Sequence, residues 1–184
     1  MTVPPCQGRD RMRVMAVAAL LTAAAGMAGA QAPSTPKIAS LKNGAGATIG
    51  QVALTDGPRG VLLRVEASGL TPGWHGIHFH EKGDCSDPAF KMAGGHVHQV
   101  SPSVHGLLNG QANDLGDLPN VYAGPDGKVN AELYSTTVAM REGTARADLL
   151  DADGSAVVIH AHADDYASQP IGGAGERVAC AVVK

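Results

Sequence analysis

Short runs of strictly alternating apolar and polar residues, each closed by a turn signal, constrain this 184-residue chain most. In Gly60–Glu66, Val61, Leu63 and Val65 share one face, and Arg64 and Glu66 the other. Lys128–Leu133 alternates likewise, with Val129, Ala131 and Leu133 inward, and Thr144–Leu149 repeats the pattern. Ala156–Ile159 and Val178–Val183 are continuously apolar, as fully buried strands are. Asp56-Gly57-Pro58, Thr71-Pro72-Gly73, Pro125-Asp126-Gly127 and Asp153-Gly154 punctuate these runs. No segment has the length and period of an amphipathic helix. The expectation is an all-β sandwich or barrel. Few charged (17%) and aromatic (3%) residues, with 24 Gly, fit short strands and many turns.

The N-terminus has the form of a secretory signal over residues 1–30. Arg9, Arg11 and Arg13 form its basic region, and Val14–Ala30 is uncharged. Ala28-Gly29-Ala30 is a small-x-small cleavage site; a retained membrane anchor is the alternative. Residues 31–36, with Pro33 and Pro36, form a flexible leader, and 37–184 the folded domain. Export implies a periplasmic or secreted protein, with no membrane contact after cleavage. A formal charge of -3 gives no basic surface for nucleic acid. Cys6 leaves with the signal. Cys85 and Cys180 are then most simply one disulfide, two free buried thiols being the alternative. A bridge closing a loop of about 100 residues stabilises by roughly 4–5 kcal/mol on the chain-entropy account.

One segment breaks the strand rhythm. Glu81–Ala123 is long and rich in Gly, His, Asn and Asp, and loops of that length are usually functional. Most of the eight histidines lie in it or at its edge. In Ile77-His78-Phe79-His80 the two histidines share a strand face, about 7 Å apart. Ile77 and Phe79 should face the core, so the imidazoles project outward as a two-point metal clamp; imidazole suits copper and zinc. His160 ends a buried strand, with Asp164 four residues on to orient a ligating ring. His96 follows Gly94-Gly95, and Asp117 offers a carboxylate that zinc accepts. His75 and His162 have plainer readings, a backbone hydrogen bond and a surface position, and Trp74 is read as packing.

These stretches resemble the copper/zinc superoxide dismutases over nearly the whole domain. The matching segments are Pro72–Cys85 (PGWHGIHFHEKGDC), Ala93–His96, His105-Gly106, Gly116–Asn120 (GDLPN), Val158–His160 and Gly172–Cys180 (GGAGERVAC). The Asp-Leu-Pro-Asn wording and the export signal are similar to the bacterial periplasmic branch. The resemblance implies a Greek-key, flattened eight-stranded barrel with long metal-binding loops. It implies an enzyme that converts superoxide to dioxygen and hydrogen peroxide at a redox-cycling copper. His78, His80, His96 and His160 would bind copper, and His96 would bridge to zinc. His105 and Asp117 would be zinc ligands, Asp164 would link the two ligand sets, and Arg177 would attract superoxide beside the copper. Cys85 and Cys180 would be the family disulfide.

Two departures bear on zinc. The family usually has a His two residues before the Gly of Gly-Asp-Leu-Pro, where this chain has Asp114. The stretch from His96 to His105 is one residue longer than usual and contains an extra His98. Asp114 as oxygen ligand, His98 as substitute or as the true bridge, and loss of zinc all remain open here. A non-catalytic periplasmic copper carrier on the same fold is the alternative function. The apolar faces are compatible with a homodimer.

Overall fold

The structure is a computed structural model and describes residues 1, 2 and 34–184. The export-signal segment therefore lies outside the described residues, apart from its first two. Eleven strands follow from Lys37: β1 (Lys37–Asn43), β2 (Thr48–Gly57), β3 (Gly60–Ala67), β4 (Gly73–His75), β5 (Ile77–His80), β6 (Val121–Ala123), β7 (Val129–Ser135), β8 (Val138–Ala139), β9 (Ala147–Asp148), β10 (Ser155–His160) and β11 (Arg177–Val183). The only helical element among the described residues is a 3-10 turn at Lys91–Ala93.

Seven strands form one antiparallel sheet in the order β5-β10-β11-β1-β2-β3-β7. β4 and β5 are one run broken at Gly76, whose N–H donates to the His162 carbonyl at 2.8 Å. β4 pairs with β6, and the turn Gly124–Lys128 returns β6 to β7. Where the resemblance implies eight barrel strands, the structure has a seven-stranded curled sheet with β6 attached beyond the break. β7 lies beside β3 although β4–β6 intervene in sequence, which is the Greek-key crossing.

The period-two reading locates the core. Val61, Leu63 and Val65 of β3 are fully buried, while Arg64 faces solvent and pairs with Glu132 directly opposite on β7. Leu41, Leu54, Ile77, Phe79 and Ile159 join the same core. Each such side chain contributes about 1.5–3 kcal/mol on burial.

β10 is buried on both faces because a second cluster covers its outer side. Ala156 and Val158 pack there with Phe90, Ala93 and Cys180. The Cys85–Cys180 disulfide, with Cα atoms 5.9 Å apart, ties the covering loop to β11.

Three expectations change. Thr144–Leu149 is not a strand; only Ala147–Asp148 pairs, in parallel with β8. The Arg146 N–H bonds locally to Thr144 Oγ1, and Ala147, in the two-residue β9, and Leu149 are buried. Alternation there reports burial more than pairing. The long loop ends at Asn120, because Val121–Ala123 is strand. The third change concerns His78 and His80: they face away from the core but are as fully buried as Ile77 and Phe79.

Candidate metal centre

The burial of β5 follows from its place in the sheet. It is an edge strand, and the long loop lies along its free edge in two arms. The Val97 N–H donates to the Phe79 carbonyl, and the Phe79 N–H to the Gly116 carbonyl, each at 2.9 Å. The Glu81 N–H donates to Gly95 O, also at 2.9 Å. His80 is thereby set opposite His96, and His78 opposite Asp117. Gly116 allows this approach, since a Cβ there would lie 2.3 Å from Phe79 O. On the other side β10 pairs with β5 and ends at His160.

Two donor clusters result. His78, His80, His96 and His160 bring one nitrogen each close together, and His78, His96 and His105 do the same with a carboxylate oxygen of Asp117. In the first cluster the remaining nitrogen of each ring has an acceptor. His78 Nε2 donates to Asp164 Oδ2 at 2.8 Å, and His80 Nδ1 to the Gly94 carbonyl at 3.0 Å. His160 Nδ1 donates to Gly175 O at 3.0 Å, and His96 Nδ1 to Asp114 Oδ2 at 2.8 Å. The nitrogens His78 Nδ1, His80 Nε2, His96 Nε2 and His160 Nε2 are buried without any hydrogen-bond partner. An unsatisfied buried polar atom costs about 1–3 kcal/mol. Four facing one another fit a metal ion and little else. Burial lowers His78 and His80, the latter strongly, and lowers His160 to about 3. These three rings stay neutral, with the lone pairs a metal needs.

The second cluster is acidic. His105 Nδ1 lies 2.7 Å from Asp117 Oδ1, and its Nε2 lies 3.0 Å from Asp164 Oδ1. Burial alone would lower His105, but the carboxylates of Asp114, Asp117 and Asp164 overcome it and raise it to about 11. His96 is raised for the same reason, by Asp114 and Asp117 against burial. Burial raises Asp114, Asp117 and Asp164, yet the facing imidazoles hold all three below the ordinary carboxylate value. Asp164 touches both clusters, through His78 and His105. Asn120 fixes it by exchanging two hydrogen bonds of 2.9 Å with its backbone.

Arg177 opens β11 and shares the Gly94 carbonyl with His80 of the first cluster. Its Nη1 donates to Phe90 O at 2.5 Å and its Nη2 to Gly94 O at 2.6 Å. The half-buried guanidinium lines a cleft of about 480 Å³ with Lys91, Gly175 and Glu176.

The structure therefore brings together His78, His80, His96, His160, His105, Asp117, Asp114, Asp164 and Arg177. It does not bring in His98, which is part exposed, with Nδ1 2.8 Å from the His96 carbonyl and 3.6 Å from Glu81. His75 bonds backbone carbonyls, as expected, at His160 and Thr71; His162 is exposed. Gln169 went unnoticed in the sequence. Its side chain brackets the His105 backbone, accepting from N–H at 2.9 Å and donating to C=O at 2.8 Å.

A curled antiparallel sheet whose edge strand carries two donor clusters sharing His78 and His96 defines a protein that can hold metal at two adjoining positions. The sequence pattern described as copper/zinc superoxide dismutase (SODC) matches residues 48–183, and the chain belongs to that family. It is 58% identical over 146 residues to "Superoxide dismutase [Cu-Zn]" of Caulobacter vibrioides, covering 79% of this chain and 84% of that protein. Identity to the Escherichia coli protein of the same description is 33% over 182 residues, covering 92% and 97%. Among solved structures, the superoxide dismutase-like protein of Bacillus subtilis superposes with a TM-score of 0.75 at 32% identity, covering 82% of this chain and all of that one. The Cu/Zn superoxide dismutase of Brucella abortus gives 0.66 at 27%, with the same coverage.

Proposed function

We propose that the chain disproportionates two superoxide anions and two protons to dioxygen and hydrogen peroxide, using copper and zinc. The carrying observation is the set of four partnerless ring nitrogens, on His78, His80, His96 and His160, with Arg177 bonded to the same Gly94 carbonyl as His80. Copper held by these rings would supply one-electron redox chemistry. Zinc is assigned to His96, His105, Asp117 and Asp114, where the donors are nitrogen and oxygen. Zinc has no redox chemistry and would hold His96 and the loop.

Arg177 binds the small anion and orients it, its charge being permanent at any working pH. His96 Nε2 is the protein atom that takes up and releases a proton between the two positions. Asp164 holds His78 and His105 in fixed tautomers. The Gly94 carbonyl aligns Arg177 and His80 together. A copper carrier would need the imidazoles but no guanidinium held at the mouth, so Arg177 favours the enzyme.

Residues 1–30 are read as an export signal, 31–36 as a leader and 37–184 as the enzyme domain, working in the periplasm. The Cys85–Cys180 disulfide supports an oxidising compartment. A homodimer is the assembly we assign, supported by the half-exposed edge-to-face pair Trp74 and Tyr122 on β4 and β6; sedimentation of the purified protein tests it. For the activity, copper and zinc content and dismutation are measured on one sample. Dismutation that follows copper content is expected; full copper loading without dismutation would overturn the proposal.

A further inference from the structure

The two metal positions differ in donor charge. The first is made of four imidazoles. In the second, two carboxylates face the same two nitrogens, His96 Nδ1 and His105 Nδ1. Asp117 Oδ1 lies 3.2 and 2.7 Å from them, and Asp114 Oδ2 lies 2.8 and 3.9 Å away. These separations bracket the ~3.3 Å edge of a tetrahedron with bonds of about 2.0 Å. The four side chains are between 1 and 4% exposed. Asp114 Oδ1 is already held by the Gly116 N–H at 2.9 Å, so Oδ2 is the oxygen presented to the rings.

We infer that Asp114 makes the second position refuse copper(I), so that donor charge sorts the two metals between the two positions. This rests on the copper/zinc reading above and extends it to selectivity. A divalent cation between two neutral imidazoles and two carboxylates is electrically balanced. Copper(I) in the same shell leaves an uncompensated buried negative charge, which is costly. Asp164, 3.0 Å from His105 Nε2, adds to that excess. Copper(I) is also the softer ion and gains less from carboxylate than from imidazole. An imidazole at 114 would remove both penalties. The first position offers copper(I) neutral nitrogen donors only.

The test uses the exported protein stripped of metal, as wild type, Asp114→His and Asp114→Asn. Copper(I) is titrated anaerobically against bicinchoninate, and cobalt(II) then serves as an optical probe of the second position. Wild type should take one copper(I) per chain tightly and cobalt(II) beside it. Asp114→His should bind a second copper(I) about tenfold or more tighter than wild type does. Asp114→Asn should lose about tenfold or more in cobalt(II) affinity, a larger loss than in its first copper(I). A second copper(I) bound equally by wild type and Asp114→His overturns the inference. So does equal cobalt(II) affinity in wild type and Asp114→Asn. If Asp114→Asn does not fold by circular dichroism, the comparison with Asp114→His decides. Dismutation is read separately: sorting without dismutation upholds the inference and overturns the proposed function, and two tight copper(I) per active wild-type chain does the reverse.

Discussion

The carbonyl oxygen of Gly94 accepts the Arg177 Nη2–H at 2.6 Å, and the same oxygen accepts His80 Nδ1–H at 3.0 Å. One backbone atom thus sets both the guanidinium at the mouth and a ring beneath it. Gly94 has φ +76°, and a Cβ there would meet Glu81 Oε1 at 2.5 Å. Gly94→Ala should therefore turn the carbonyl away. We expect kcat/KM to fall by about 10²-fold, as misplacement of a positioning group does. The optical band of the copper-loaded protein should shift as well, since His80 moves; an unchanged band and rate would show that neither group depends on Gly94.

Arg177 contributes a permanent charge in an otherwise acidic chain. Arg177→Ala should lower the rate at low ionic strength far more than at high, because salt screens attraction beyond about 8–10 Å. Rates measured across a salt series check this, and parallel lines for mutant and wild type would remove the steering role.

Asp164 joins the two clusters through one carboxylate. Asp164→Asn leaves an amide that cannot accept from both His78 and His105 on equal terms. Partners of this kind are worth roughly 10–100-fold in metal affinity. Both metals should be held more weakly by that range, measured by competition with chelators, while Asp126→Asn, at an exposed turn, changes neither.

The metal-free protein should be most stable near about pH 6.5, the unfolded value of histidine. Below it, the unfolded chain binds protons that buried His78, His80 and His160 do not, so stability falls with falling pH. Depressed Asp114, Asp117 and Asp164 add to the loss below about pH 4, as they are protonated on the way to unfolding. Above about pH 6.5 the raised His96 and His105 still hold protons that the unfolded chain has released. Stability should then decline as pH rises towards the His105 value of about 11. Metal displaces those protons, so thermal melts of the loaded protein should lack the alkaline decline.

The disulfide closes a sequence separation of 95 residues. Replacing both Cys85 and Cys180 by Ser should lower unfolding stability by about 2–5 kcal/mol, read from denaturant midpoints.

Much of this was legible from side-chain pattern. The alternation of Gly60–Glu66 and Lys128–Leu133 gives β3 and β7, because each strand has one face in the core and one in water. The same pattern in Thr144–Leu149 misleads, because a buried segment can alternate while only two of its residues pair. The placing of His78, His80 and His160 is readable because strand geometry fixes their positions on β5 and β10. The choice between Asp114 and His98 is not, since it depends on how the loop lies along the β5 edge. The carbonyls of Gly94 and Gly175, and the Gln169 clamp on His105, leave no mark in sequence. Any residue carries a carbonyl, and Gln169 meets His105 only in the folded chain.

The two loop arms on β5 have a consequence beyond placing His96 and Asp117. β5 is a wholly buried strand at the end of a sheet, with backbone donors and acceptors that pair with any extended chain. The metal-bearing loop occupies that edge and is tethered by Cys85. A chain that has lost its metals and its disulfide would free the loop and bare a sticky apolar border, inviting strand-to-strand aggregation. Metal ions that fix the loop would thus also guard the molecule against assembling with copies of itself.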